Sequence, residues 1–311
     1  MKKYLLVLSI IVFLSCEKDT VSDDSRITAL ERTLGVSVSD APVDVEGLFF
    51  EGVSYGNGTR NQLDLLLPGT QDLKGLLIFF HGGAFVVGDK SAVFDDYLLP
   101  TISAILAEDI AVVSANYAFI TLPESNGVLS SMEDGAAVIS FIESLSTSLR
   151  LPANSILLSG GSAGAGIAQW NGFREASNGQ VQGVLALEAQ SSYNLYEWET
   201  VFPGFSLDDT REDYPVLEDL FLDFYAGEPT DELLQSLDYR SEMDGNDPPV
   251  YIYNQQSGQE VFNADGELDI DVLFHSFRHA DYLRLKAIEV DQAFSGAYQE
   301  SPADFIIRML E

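Results

Sequence analysis

From residue 47 onward the apolar positions follow a regular rhythm. GLFFEGVSY and NQLDLLL alternate or run apolar on either side of GNGTR, so an antiparallel hairpin is expected there. GLLIFF, IAVVSANY, SILLSG and VQGVLALEAQ are short continuous apolar runs, the pattern of strands buried on both faces. Between them lie segments with helical spacing: AVFDDYLLPTISAILAED, SSMEDGAAVISFIESLSTSL and AGAGIAQWNGF. The second of these opens on Ser130-x-x-Glu133, read as a capping box. The rhythm breaks over residues 193–247, which are acidic and aromatic and are expected to be a partly helical cap insertion. It resumes with PPVYIYN, a helix around VLFHSFRHADYLRLKAI, a strand VDQAF and a last helix ADFIIRML. Two leading strands followed by alternating strands and helices predict an α/β fold. Its sheet should be mostly parallel and doubly wound, with an antiparallel N-terminal hairpin and a cap.

The first residues lie outside that rhythm. Lys2 and Lys3 precede an apolar stretch over residues 4–14 that is too short to span a bilayer as a helix, and Ser15 precedes Cys16. This resembles a bacterial lipoprotein signal over residues 1–15, with cleavage before Cys16 and lipidation of its thiol. Cys16 is the only cysteine, so it has no disulfide partner within the chain. Residues 16–40, polar and acidic at their start, are expected to be a tether, and residues 41–311 the α/β domain. The resemblance implies a lipid-anchored protein of the bacterial cell envelope that touches the membrane through its anchor alone.

Composition narrows the partners. With 16 Lys and Arg against 49 Asp and Glu, the formal net charge is −33. Such a surface repels nucleic acid and anionic lipid and suits a soluble, monomeric protein that takes a neutral substrate or tolerates cations; no cofactor is assigned.

Two stretches carry chemistry. GGSAG places Ser162 between a predicted strand and a predicted helix in a G-x-S-x-G pattern. A nucleophile there sits on a sharp turn, and bulkier residues two before or two after it would collide. The second stretch, FFHGGAFVVGDK, ends a preceding strand. Its glycines let backbone N–H groups face a reacting oxygen, with Gly83 and Ala84 as donors and Ala163 as a third. His81 is expected to brace this loop. In order and type, HGGAFVVGDK, VVSANYAF, SMEDGAAVISFIESL and LLSGGSAGAG resemble the α/β-hydrolase superfamily. The likeness is to its esterases with an HGG-type oxyanion loop, nearest the feruloyl and acetylxylan esterase-like group. The resemblance implies a serine carboxylic-ester hydrolase that acts through an acyl-enzyme on an acylated glycan or a small ester.

One part of that pattern is missing. The resemblance places the general base in the loop after the last strand, but SGAYQES contains no histidine. The chain has three: His81, His275 and His279. His275, nearer the expected helix start, is the favoured base and His279 the alternative. Asp271 is the favoured acid, and Asp269, Asp265, Glu260 and Glu188 also stand as candidates. Asp269 or Asp271 could instead cap the helix. Asp271, His275 and His279 fall at i, i+4 and i+8, a spacing that also admits a metal site, although no known metal motif matches and none is assigned. If neither late histidine reaches Ser162, the chain is a degenerate hydrolase serving as an envelope binding or scaffold lipoprotein.

Overall fold

The computed structural model describes residues 23–45, 47–255, 260–263 and 265–311. The lipoprotein signal and Cys16 lie outside the described residues. The sheet contains β1 (Val38–Ser39), β2 (Gly47–Ser54), β3 (Gln62–Pro68), β4 (Gly75–Phe80), β5 (Ile110–Ala115), β6 (Ile156–Gly161), β7 (Val181–Leu187), β8 (Val250–Tyr253) and β9 (Phe294–Ser295). Their order is β1-β2-β3-β5-β4-β6-β7-β8-β9. The pairs among β1, β2, β3 and β5 are antiparallel, and all pairs from β5 through β9 are parallel.

Parallel strands need crossovers, and helices supply them on both faces. The crossover helices are α2 (Leu99–Ala107), α3 (Val128–Leu149), α4 (Ala163–Gly172), α10 (Ile270–His275) and α11 (Phe277–Val290), while α1 (Asp23–Leu34) precedes the first strand and α12 (Pro302–Leu310) follows the last, each packing on the sheet. The cap contributes α5 (Trp198–Val201), α6 (Leu207–Asp213), α7 (Pro215–Tyr225), α8 (Asp231–Leu237) and α9 (Tyr239–Glu242). Alternation along β4 shows why its sequence is apolar throughout. Leu76, Ile78 and Phe80 join the core beneath α3, α4 and α11, whereas Leu77 and Phe79 join the core beneath α2 and α12.

Register decides where the chemistry sits. Phe80 pairs with Gly160, and Gly161 pairs with Leu187, so β4, β6 and β7 end level. The residues that follow, from His81, from Ser162 and from Glu188, therefore emerge side by side at the carboxyl edge of the sheet.

Four expectations need correction. The tether does not extend to residue 40: α1 packs Leu30 and Leu34 into the core and β1 joins the sheet edge. Those leucines stand four apart and form one apolar stripe. The capping box at Ser130 does not form. Gly127 is the N-cap of α3, and Ser130 Oγ, already inside the first turn, accepts from Asn126 N at 2.8 Å. The segment before α2 is a 3₁₀ turn at Lys90–Phe94, and the α-helix begins only at Leu99, with Pro100 in its first turn. Finally, the helix around residues 272–288 is two helices, and α11 runs through Val290, which leaves only Phe294–Ser295 as the last strand. The break falls at Ser276. Its hydroxyl accepts from Arg278 N at 3.3 Å as the cap of α11, and Asn254 Nδ2 donates to the carbonyls of His275 (3.2 Å) and Ser276 (3.1 Å).

Candidate active site

Ser162 stands at the turn from β6 into α4 with φ 50° and ψ −117°, a backbone region that non-glycine residues avoid and that is held only by its surroundings. The flanking glycines explain how. A Cβ on Gly160 would lie 2.2 Å from the backbone of Gly164, and one on Gly164 would lie 2.0 Å from the carbonyl oxygen of Phe80. The collision expected from the sequence is therefore met on both sides. The backbone is fixed by Ser162 N donating to Leu187 O at 2.8 Å, across the sheet.

The loop after β4 is equally constrained. Ala84 and Phe85 have positive φ (50° and 62°), and Val86 N and Val87 N both donate to Gly83 O at 3.0 Å. Among the described residues, none accepts from the backbone N–H of Gly83, Ala84 or Ala163, and all three residues line one cavity with Ser162. Below the loop, His81 is buried. Its Nδ1–H donates to Gly82 O at 2.7 Å, its Nε2 faces Arg60 Nη2 at 3.3 Å, and its ring stacks on Tyr117 at 4.4 Å. Burial, with the Arg60 charge beside it, holds its pKa below the usual imidazole value, so it stays neutral. Arg60 also donates to Gly88 O, Tyr117 O and Asn116 Oδ1, tying the turn between β2 and β3 to this loop. Sequence reasoning missed Arg60 and Asn116. Their partners are backbone and side-chain groups distant in sequence, which leave no local pattern.

The two late histidines separate cleanly. His275 ends α10, and its Nε2 lies 2.9 Å from Ser162 Oγ. Its Nδ1 lies 2.8 Å from Asp271 Oδ1 on the same helix. With the proton on Nδ1, the serine hydroxyl donates to Nε2 and Nδ1–H donates to the carboxylate, so one tautomer serves both contacts. His279 lies beyond the break and is fully buried. Its Nδ1 accepts from Ser191 N at 3.2 Å and its Nε2–H donates to Leu273 O at 2.9 Å, with Trp198 and Phe202 edge-on to the ring. Burial pushes its pKa down to about 4. Because α10 and α11 are separate helices, the i, i+4, i+8 face does not exist, and Asp271, His275 and His279 do not converge on one point.

The remaining candidate acids have other partners. Asp269 caps α10, accepting from Val272 N at 3.1 Å. Glu260 pairs with Arg278 at 3.3 Å, and Asp265 is exposed in a turn where its N–H donates to Asn263 Oδ1. Glu188, just past β7 with φ 50°, accepts from Gln255 N at 3.0 Å. Burial raises its pKa, while the nearby His275 pulls it down.

Beside Ser162 lies a cavity of about 740 Å³. The cap forms much of its wall: Leu195, Trp198, Phe205 and Leu207, then Leu217, Leu220, Phe221 and Phe224 from α7. Of the aromatic residues near the start of the cap (196–205), Trp198 and Phe205 face it. Tyr196 instead reaches Asp208, and Phe202 packs on His279. Among the described residues, no helix is long and apolar enough to cross a membrane.

Comparison with known proteins agrees with this architecture. Residues 63–214 match the BD-FAE family model. A search of curated proteins finds no match. Among solved structures, a truncated carbohydrate esterase from gut microbiota superposes with a TM-score of 0.63 at 13% identity, covering 87% of this chain and 99% of that one. Esterase B from Lactobacillus rhamnosis, in an inhibited form, gives 0.59 at 14% identity over 86% of this chain and 80% of its own. A thermophilic esterase from Thermogutta terrifontis with propionate bound gives 0.54 at 14% identity, over 85% and 82%. With the level strand ends and the glycine-flanked turn, these likenesses show an α/β-hydrolase fold similar to that of solved esterases.

Proposed function

We propose that this chain is a serine carboxylic-ester hydrolase with Ser162 as nucleophile, His275 as base and Asp271 as acid. The observation that carries the reading is the hydrogen-bonded series from Ser162 Oγ through the His275 ring to Asp271 Oδ1, at 2.9 and 2.8 Å. As Oγ attacks the acyl carbon, its proton passes to His275 Nε2, and the carbonyl oxygen takes the negative charge. The N–H groups of Gly83, Ala84 and Ala163 donate to that oxygen. The imidazolium then gives its proton to the departing alcohol, leaving Ser162 acylated. Water attacks the acyl-enzyme with His275 again taking a proton, and collapse frees the acid and the serine. Asp271 keeps Nδ1 protonated and stabilises the positive ring, and Glu188 adds a second negative charge nearby. The degenerate reading was motivated by the absence of histidine from SGAYQES. His275 on α10 removes that motive. The decisive assay compares hydrolysis of short p-nitrophenyl esters by the purified protein and by Ser162→Ala. Turnover confined to the wild type supports the proposal, and equal background rates in both refute it.

We further propose that Cys16 is the lipid-bearing residue of an envelope protein that works as a monomer with no nucleic-acid partner. Acylated glycans outside the cytoplasm are then within reach as substrates. Detergent-phase partitioning of the full chain, lost on Cys16→Ser, is the expected outcome. Unchanged partitioning refutes the anchor.

A further inference from the structure

We propose that the cavity beside Ser162 binds an unbranched aliphatic chain, so that esters with a medium-length chain are favoured over short-chain and phenolic esters. This rests on the hydrolase reading above and concerns what that site selects.

Nearly all the polar groups at the wall are already engaged. The Tyr193 hydroxyl donates to Gln190 Oε1 at 3.1 Å and lies 3.3 Å from Ala163 O. Gln190 Nε2 donates to Phe274 O at 2.7 Å. Arg211, the only Lys or Arg on the wall among the described residues, is engaged in other contacts. Its Nε and Nη2 donate to Glu218, its Nη2 also to Glu228, and its Nη1 to the Tyr196 hydroxyl. The flat guanidinium lies 3.7 Å above the Phe221 ring, so what it adds is a lid over that ring rather than a free charge. Away from the Ser162 centre, the Thr210 hydroxyl is the one wall side chain without such a partner among the described residues.

A glycan or phenolic hydroxyl entering this space would exchange water for a wall that offers few partners. A methylene chain loses nothing there and leaves water. The approach is apolar as well: Val87 and Ile270, which line the cavity, are 61% and 50% exposed, and Val216 beside Leu217 is 78% exposed. The volume of about 740 Å³ far exceeds what an acetyl group needs.

The test uses the full chain in a pH-stat with two ester series. One is the ethyl esters of acetic, butyric, hexanoic and octanoic acids. The other is the acetates of ethanol, butanol, hexanol and octanol. Each buried methylene is worth up to about fourfold. The account therefore expects kcat/KM to rise at least about tenfold from the shortest to the longest member of one series. Leu220→Trp, which fills the cavity, should cut that ratio about fivefold or more. Methyl cinnamate should be hydrolysed faster than methyl 4-hydroxycinnamate, by up to about 10². Flat or falling rates in both series, or a preference for the phenolic ester, overturn the inference while leaving a Ser162-dependent hydrolase intact. No hydrolysis of any ester, or rates unchanged in Ser162→Ala, overturns the hydrolase reading itself.

Discussion

His275 and Asp271 meet at 2.8 Å across one turn of a six-residue helix, so both are carried by the same short element. Side chains four apart lie on one face of a helix, which brings the pair together without help from the sheet. The pair is more open than its position suggests: the His275 side chain is 28% exposed and that of Asp271 59%. Both then depend on how α10 is held over Ser162. Asn254, Gln190 and His279 do this, each bonding a backbone carbonyl of α10.

The unequal exposure predicts unequal losses. His275→Ala should lower kcat by about 10⁴- to 10⁶-fold, as loss of a triad base does elsewhere. Asp271→Ala should cost less, about 10- to 10³-fold, because solvent screens an exposed carboxylate and Glu188 stays nearby. Adding Glu188→Gln to Asp271→Ala should cost more than the product of the single losses, since both charges bear on one imidazolium. Steady-state kinetics decides. A loss in Asp271→Ala as large as in His275→Ala would contradict the account of Asp271.

The glycine pattern at the elbow should sort by space. Gly160→Ala and Gly164→Ala place a methyl 2.2 and 2.0 Å from backbone atoms, so each should destabilise the fold by about 3 kcal/mol or more, or prevent folding. A Cβ on Gly161 meets nothing within 4 Å, so Gly161→Ala should change stability by less than about 1 kcal/mol. Thermal melts of the soluble variants provide the comparison, and a tolerated Gly164→Ala would count against this geometry.

His279 should make the protein acid-sensitive. Its folded pKa of about 4 lies below the unfolded value of about 6.5, so between those pH values the unfolded chain binds the extra proton. Its contribution is complete above about pH 6.5 and declines as pH falls toward 4, by on the order of 3 kcal/mol. Asp247, raised to about 6 by burial, acts with the opposite sign over much of the same range. The measurement is therefore the difference in melting temperature between wild type and His279→Gln across pH 4 to 7. That difference should shrink as pH falls. A constant difference would show that His279 does not titrate as described.

What the sequence makes legible follows the range of each interaction. The order of strands, the turn at Ser162 and the loop after β4 are local, each written within about ten residues by apolar runs and glycines. The choice between His275 and His279 is not local. Ser162 and His275 stand 113 positions apart, and what separates the histidines is the break at Ser276, stabilised by Asn254 from the end of β8. Periodicity alone read one continuous helix there, because both halves present apolar residues at compatible spacing. The bracing by Arg60 was hidden for the same reason. The helical stripe of Leu30 and Leu34 is only two residues long, and the acidic residues around it made the segment read as a tether.

The central claim is that a base on α10, before the last strand, activates Ser162. The most direct measurement is mass spectrometry of the intact protein and of its peptides after brief exposure to a fluorophosphonate, which phosphonylates an activated serine. The account predicts one adduct on the peptide bearing Ser162, absent in Ser162→Ala and slowed at least about 10³-fold in folded His275→Ala. Labelling of Ser162 at an unchanged rate without His275 would contradict it.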